Sequence, residues 1–298
     1  MKSARTSVGS TATPSGPSEH SSEPRGLAGS RLVTRTVRLA DELGNTFRMI
    51  GVGGGVRYTR GLLRAIPEVV RTGNLQAADS AMPPDVIACH FDGRVMQLPG
   101  KYYGLAREIV GRGVYEYGGF RVQPGDRVLD LGANVGVFAI KAALEGAVVY
   151  AVEAQQGFMS ELAELARLNH CEHRVHPVWA LVGEGTGVFS DPRQRQIASH
   201  WRGDPETPSL DWLLDCIEGG QAELLKVDIE GSEFDMFRRS KQALHRVRRI
   251  AMEVHAASGP PEELVAILRD AGFVVRLFTP SGREISASTG DCYAFAHR

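Results

Sequence analysis

Between Leu224 and Glu233 the sequence reads LLKVDIEGSE, an apolar pair followed by one ammonium and three carboxylates. In an extended segment, alternation puts Lys226, Asp228 and Glu230 on one side, where all three can reach a common cleft. Such a set can move a proton. A carboxylate serves as general base, desolvation raises its pKa toward usefulness, and a nearby ammonium lowers it. Gly231 then lets the chain turn, and Ser232 with Glu233 can open a helix, so a plain capping role for Glu230, Ser232 and Glu233 stays open. A further apolar run, Ile250 to Val254, ends in Glu253 and His255. Its imidazole titrates in the range that proton transfer requires, although a polar residue ending a strand can also be simply solvated.

A second constellation lies upstream, in RVLDLGANVGVFAI from Arg127 to Ile140. An apolar strand runs into Asp-Leu-Gly-Ala-Asn-Val-Gly and then into a helix. Gly132 and Gly136 remove side chains where backbone approaches a ligand, and the helix opening near Asn134 points free N–H groups at it. Asp130 favours one class of ligand. A carboxylate at the strand end repels a pyrophosphate but attracts the amino group and sulfonium of S-adenosylmethionine (SAM). The spacing also departs from GxGxxG. Val148 to Val152 reads as the next buried strand, closed by Glu153, a carboxylate able to accept both ribose hydroxyls of an adenosine. NAD would use that acid equally, so an NAD-dependent oxidoreductase is the alternative on this feature.

The elements that hold these residues alternate as a parallel α/β sheet requires. Phe158, Leu162, Leu165 and Leu168 mark a covering helix. Further strands are expected at Val175 to Val182, Glu223 to Asp228 and Ile250 to Val254. Pro260-Pro261 opens a helix that Gly272 ends, and the last strands, Phe273 to Phe278 and Cys292 to Phe295, are joined too briefly for a helical crossover and so run antiparallel. Upstream, Val33, Val37 and Leu39 followed by Thr46 to Gly51 suggest a hairpin, and Val86 to Leu98 around Asp92-Gly93 a second. A short helix with Pro67 lies between them, and Gly51 to Gly55 reads as a flexible turn. The organisation expected is a Ser/Gly/Pro-rich disordered tail over 1–30, a mixed α/β cap over 31–114 and the catalytic domain over 115–298.

With 298 residues, 43% of them hydrophobic, and a net charge of −1, the chain suits a soluble enzyme with one large core. No basic excess points to nucleic acid, and no apolar run is long enough to span a bilayer. Four scattered cysteines without a CxxC pair suit a reducing, cytoplasmic setting, and nothing resembles a signal peptide. His170, Cys171, Glu172, His173 and His176 resemble a metal cluster in composition only and read as a solvated loop. The basic run from Arg238 to Arg249 reads as a solvated helix and turn. The polar stretch Asp191 to Pro208, with His200 and Trp201, has the length of a lid over an acceptor, together with Tyr115, Glu116 and Tyr117.

VLDLGANVGVFAIKAA, the acid in VYAVEAQ, SLDWLL at Ser209 to Leu214, LLKVDIEGSEFDMF and IAMEVH together resemble the FkbM-type SAM-dependent methyltransferases over roughly residues 115 to 275. The KVDIEGSE segment is the most specific part. The resemblance implies a class I methyltransferase (Rossmann-like) fold with a seven-stranded, mostly parallel sheet whose last strand is antiparallel. It also implies O-methylation of a hydroxyl on a small molecule such as a polyketide or a sugar. By the same resemblance Asp130, Gly132, Asn134 and Gly136 line the methionine part of SAM, Glu153 holds the ribose, and Asp228 and Glu230 face the transfer site. Two positions depart from the family pattern. Ala154 stands where proline is usual, and no acid follows the third strand near Ala180 to contact adenine, which leaves backbone groups there for that role.

A sulfonium is already activated, so the protein need only align acceptor oxygen, methyl carbon and sulfur and remove a proton. Asp228 or Glu230 is the expected proton acceptor, with Lys226 or His255 tuning or replacing it. No metal site is assigned. A divalent cation on Asp228 and Glu230 is the rival means of lowering the hydroxyl pKa, but two carboxylates are too few to define a site. A SAM-binding protein without catalysis is the alternative function.

Overall fold

A computed structural model describes residues 25–72, 75–80, 82, 84–183 and 204–298, with the backbone alone over 25–41. The chain divides into two compact units, Met1–Asp41 and Glu42–Arg298. The first contributes helical backbone from Arg25 onward. The remainder of the proposed tail, and most of the proposed lid at Asp191 to Pro208 with His200 and Trp201, lie outside the described residues.

Eight helices and ten strands are used below: α1 (Arg25–Thr72), α2 (Gln76–Asp79), β1 (Val86–Phe91), β2 (Arg94–Pro99), α3 (Tyr103–Ala106), β3 (Arg127–Leu131), α4 (Val137–Leu144), β4 (Val148–Glu153), α5 (Gln156–Leu168), β5 (Val175–Trp179), α6 (Leu210–Asp215), β6 (Ala222–Val227), α7 (Glu233–Arg239), β7 (Val247–Val254), α8 (Pro261–Asp270), β8 (Val274–Phe278), β9 (Glu284–Ile285) and β10 (Cys292–His297). The central sheet runs β5-β4-β3-β6-β7-β10-β8-β9. Its strands β3 to β7 pair in parallel, while β10 is antiparallel to both β7 and β8. The seven expected strands are present, and the two-residue β9 adds an eighth at the edge against β8.

Strand alternation divides the core between the two faces of this sheet. Val128, Val149 and Ala251 point into a cluster with Ile140 of α4, Leu162 of α5 and Met96 and Leu98 of β2. Their neighbours Leu129, Val152, Ile250 and Met252 point the other way, to Leu213, Phe237 and Leu268 of α6, α7 and α8. In α8, Pro261 occupies the first turn with Glu262 and Glu263, and Arg269 the last, so both ends suit the helix dipole.

The hairpin at β1–β2 forms as expected: Asp92 (φ 44) and Gly93 (φ 73) give the primed turn that matches strand twist. Asn169 after α5 fastens it, accepting from the Gln97 N–H at 2.7 Å and donating to the Gln97 carbonyl at 2.7 Å.

The other expected hairpin, from Val33 to Gly51, is a helix instead. Over so few residues Val33 and Val37 fit the helical i, i+4 spacing as well as an alternating one, and Gly44 gives no turn here. The Thr46 hydroxyl donates to the Glu42 carbonyl one turn back at 2.9 Å. The Gly51–Gly55 segment is likewise within α1, where Gly51 alone departs from helical geometry (φ 67, ψ −179). Arg107, just beyond α3, anchors the helix from Glu42 on, with salt bridges of 2.9 Å to both Glu42 and Asp79. No helix among the described residues is long and apolar enough to cross a membrane.

Candidate active site

The cleft opens at the carboxyl ends of β3, β4 and β6, where the three strands pass into their loops. Gly132 follows β3 with φ 77, and a Cβ there would lie 1.7 Å from the Asp228 carbonyl oxygen, so the approach of the two loops demands glycine. The Gly132 and Ala133 N–H groups donate to the Val152 carbonyl at 3.0 and 2.9 Å, and the Asp228 N–H to the Leu131 carbonyl at 3.0 Å. Asn134 holds a left-handed backbone (φ 52), its Oδ1 accepting from the Val135 N–H at 2.7 Å. Gly132, Asn134 and Glu153 line the cleft with Ala180 and Val182, and Leu105, Ile109 and Phe138 give it an apolar wall.

Glu153 is buried, and both of its oxygens are engaged. Oε2 accepts from the Asn134 N–H at 2.8 Å and Oε1 from the Gln155 N–H at 2.7 Å. Burial pushes its carboxyl up, and the two backbone N–H groups oppose that shift. A carboxylate oxygen has more than one acceptor site, so Glu153 can tie both loops and still receive a ribose hydroxyl. These groups fit SAM: an acid at the end of the second parallel strand, a glycine turn beneath, and a polar-to-apolar cleft between them.

Two of the residues expected on the cofactor are placed elsewhere. Asp130 is completely buried and faces Lys226, whose Nζ lies 3.0 Å from Oδ1, so its carboxylate does not line the cleft. Adjacent register on parallel strands, Asp130 beside Lys226, makes that pairing unavoidable. Gly136 caps α4 with φ 90 and backs onto Leu162. Neither residue is among those that line the cleft.

Lys226 also donates to the Gly132 carbonyl at 2.8 Å, and lies 3.9 Å from Asp228 Oδ2 and 5.1 Å from the centre of the Tyr115 ring. Burial alone would lower its pKa, but Asp130 and Asp228 outweigh burial and hold it above the ordinary lysine value. Lys226 is therefore a fixed cation, and the role of replacement base falls away. Asp228, just past β6, lines the cleft, and Tyr115 donates its hydroxyl to Oδ2 at 2.7 Å. Glu230 is part-exposed with φ 53, and its Oε2 lies 3.4 Å from His255 Nε2.

His255 bridges to the buried side. Its Nδ1 donates to Glu233 Oε1 at 2.8 Å, and Nε2 lies 3.9 Å from Asp228 Oδ1. Burial would depress this histidine, but the bond to Glu233 and the charges of Glu233, Asp228 and Glu253 raise it to about 10. It is an imidazolium at neutral pH, suited to tuning and not to accepting a proton. Glu253, under the same cleft edge, accepts from the Tyr293 hydroxyl at 3.1 Å, and burial with Asp228 nearby pushes its carboxyl up to about 8.

Glu253 and Tyr293 are functional candidates that emerge from the fold, and Glu233 is more than a cap. The i, i+2 spacing of Glu253 and His255 was the available signal for the first. Glu233 begins α7, but it is fully buried beneath His255, with the Ile229 N–H donating to it at 3.3 Å.

Among the described residues, Asp228, Glu253 and His255 are the set whose donor atoms come within 4.8 Å of one another. A cation there would need His255 as the neutral imidazole, because an imidazolium has no lone pair to offer. The His170 to His176 cluster forms no such set, and His170, Glu172, His173 and His176 are exposed. In the basic run Arg238, Arg246 and Arg249 pair with Glu263, Asp215 and Asp126.

The profile of the methyltransferase FkbM domain matches residues 130–275, the stretch that runs from the end of β3 into β8. The 31-O-demethyl-FK506 methyltransferase FkbM of Streptomyces tacrolimicus is 31% identical over 222 residues, which cover 59% of this chain and 83% of that protein. Among solved structures, a Methanococcus jannaschii fibrillarin pre-rRNA processing protein aligns with TM-score 0.42 and 14% identity over 71% of this chain and 88% of that one. A precorrin-6y C5,15-methyltransferase from Geobacter metallireducens aligns with TM-score 0.37 and 15% identity over 63% and 87%. Overlaps this loose support nothing further. The family match and the Streptomyces relative do, and the chain belongs to the FkbM family of SAM-dependent methyltransferases.

Proposed function

We propose that this methyltransferase acts on a hydroxyl of an apolar small molecule, with Asp228 as the proton acceptor. One observation carries this reading. Asp228 is a carboxylate on the cleft lining between the glycine turn and the apolar wall of Leu105, Ile109 and Phe138, with Tyr115, Lys226 and His255 arranged around it. The relative from Streptomyces tacrolimicus is named as a 31-O-demethyl-FK506 methyltransferase, and the O-demethyl in that name supports a hydroxyl acceptor.

When bound, SAM supplies a methyl group on a positively charged sulfur, ready for in-line displacement. The residues of this chain do the rest. Glu153 and the Gly132–Asn134 turn hold the donor, and the apolar wall orients the acceptor and excludes water. The acceptor hydroxyl gives its proton to Asp228 as its oxygen forms the new bond to carbon. Lys226 and His255, both cationic, stabilise the charge that develops on the oxygen. Glu230, across from His255 at the open side, completes the polar rim.

Asp228→Asn tests the assignment. Turnover should fall at least about a hundredfold, the range that a general base contributes, while SAM affinity measured by calorimetry stays unchanged. Full turnover in this variant would remove Asp228 from the role. Transfer of labelled methyl from SAM to carbon or nitrogen of the acceptor, read by NMR of the product, would refute O-methylation.

A further inference from the structure

Helix α1 carries an apolar stripe that the fold leaves in water. Beyond the break at Gly51, Val52, Val56, Leu63, Ile66 and Val70 are all exposed, Val52 by 75%, Leu63 by 61% and Val70 by 78%. At about 100° per residue these five fall within an arc of about 80°. The packed side of the helix flanks the stripe on the edge away from the arginines, where Tyr58 and Leu62 are buried. The stripe is therefore additional to the face that anchors α1, and large aliphatic side chains in one exposed row mark a contact surface.

The charge beside it is one-sided. Arg57, Arg60 and Arg64 are exposed along a single edge of the stripe, and none has an acidic partner among the described residues. The carboxylate within this stretch, Glu68, is already bonded to Arg71 at 3.0 Å. A chain whose net charge is −1 thus concentrates three arginines, without an acidic partner among the described residues, next to its exposed aliphatic row.

We infer that this face of α1 docks on an anionic lipid surface. The stripe would enter the boundary between headgroups and acyl chains while Arg57, Arg60 and Arg64 meet lipid phosphates, the arrangement of an interfacial amphipathic helix. Lying on a bilayer needs no spanning segment. The charge distribution disfavours a second copy of the chain. Antiparallel pairing sets arginine edge against arginine edge, and parallel pairing sets it against Gly55 and Leu62 of the neighbour, with no carboxylate for it in either case.

Sedimentation of the full chain with vesicles decides the matter. The protein should pellet with phosphatidylcholine vesicles containing about 30% phosphatidylglycerol and stay in solution with phosphatidylcholine alone, and high salt should release it. R57E/R60E/R64E and, separately, L63S/V70S should each weaken partitioning at least about tenfold. Each variant is checked to keep wild-type Tm and methyl transfer, since none of these residues touches the cleft. Failure to pellet with anionic vesicles, or pelleting that neither variant reduces, overturns the inference. A wild-type dimer in light scattering that L63S/V70S converts to monomer also overturns it, in favour of self-association. Acidic protein partners are excluded as the occupant when purified protein and vesicles alone suffice.

Discussion

Lys226 and Asp130 form an ion pair of 3.0 Å with both side chains out of contact with water, at directly adjacent positions on β6 and β3. Lys226 reaches from this pair to the Gly132 carbonyl, so a buried charge locks the glycine turn to the strand that delivers Asp228. Breaking one partner leaves the other buried and uncompensated. Asp130→Asn should cost about 3–5 kcal/mol in urea unfolding, and Lys226→Met a similar amount. The double variant should cost clearly less than the sum. Additive losses would show that the two do not act as a unit.

Tyr115 reaches Asp228 from a position 113 residues away in sequence. Tyr115→Phe keeps the ring beneath Lys226 and removes the hydroxyl that bonds to the carboxylate. A hydrogen bond to a charged group contributes about 1.5–3 kcal/mol, so kcat should drop roughly tenfold to a hundredfold at constant SAM affinity. Steady-state kinetics with parallel calorimetry checks both halves. A change confined to SAM binding would move Tyr115 to the cofactor.

The bond between His255 and Glu233 has a pH signature. The folded-state pKa of His255, about 10, lies above its unfolded value of about 6.5. Its stabilising contribution is then fully present below about pH 6.5 and is lost as pH rises through 10. Glu233→Gln removes the carboxylate, and the decline in Tm should shift to lower pH. An identical Tm profile for wild type and variant would show that Glu233 does not hold the imidazolium.

Glu253 gives a second, separable window. Its carboxyl, raised to about 8 by burial and by Asp228, favours the protonated form in the fold, so stability is lost between about 4.5 and 8 as pH rises. Glu253→Gln copies the neutral group without its titration. The variant should match wild type near pH 5 and exceed it in Tm at pH 9, by differential scanning calorimetry. A lower Tm at pH 9 would contradict this assignment of the burial cost.

Much of the fold could be read in the chain because its signals are local. VLDLGANVG joins a buried strand to a glycine turn and a helix within a dozen residues, and Asp92-Gly93 specifies its own turn. The Val33 to Gly51 segment is ambiguous for the same reason, since a few β-branched residues satisfy strand and helix spacing alike. Distant residues hold the second half of that helix: Arg107 pairs with Glu42, and the Tyr103 hydroxyl donates to Thr46 at 2.8 Å.

The residue types alone set Glu153 at the end of β4 as the carboxylate for a nucleoside-like cofactor, and set Lys226, Asp228, Glu230 and His255 close to one another around the ends of β6 and β7. Which of them is buried, charged or free was decided only in three dimensions. Asp130 carries the same carboxylate as Asp228, yet the register of β3 against β6 consigns it to the core beside Lys226, while Asp228, one step past its strand, turns into the cleft. Proton affinity depends on neighbours and on solvent, and both are supplied by chain segments far away in sequence: Tyr115 before the sheet begins, Glu253 on β7 with His255 just past its end, and Tyr293 on the last strand.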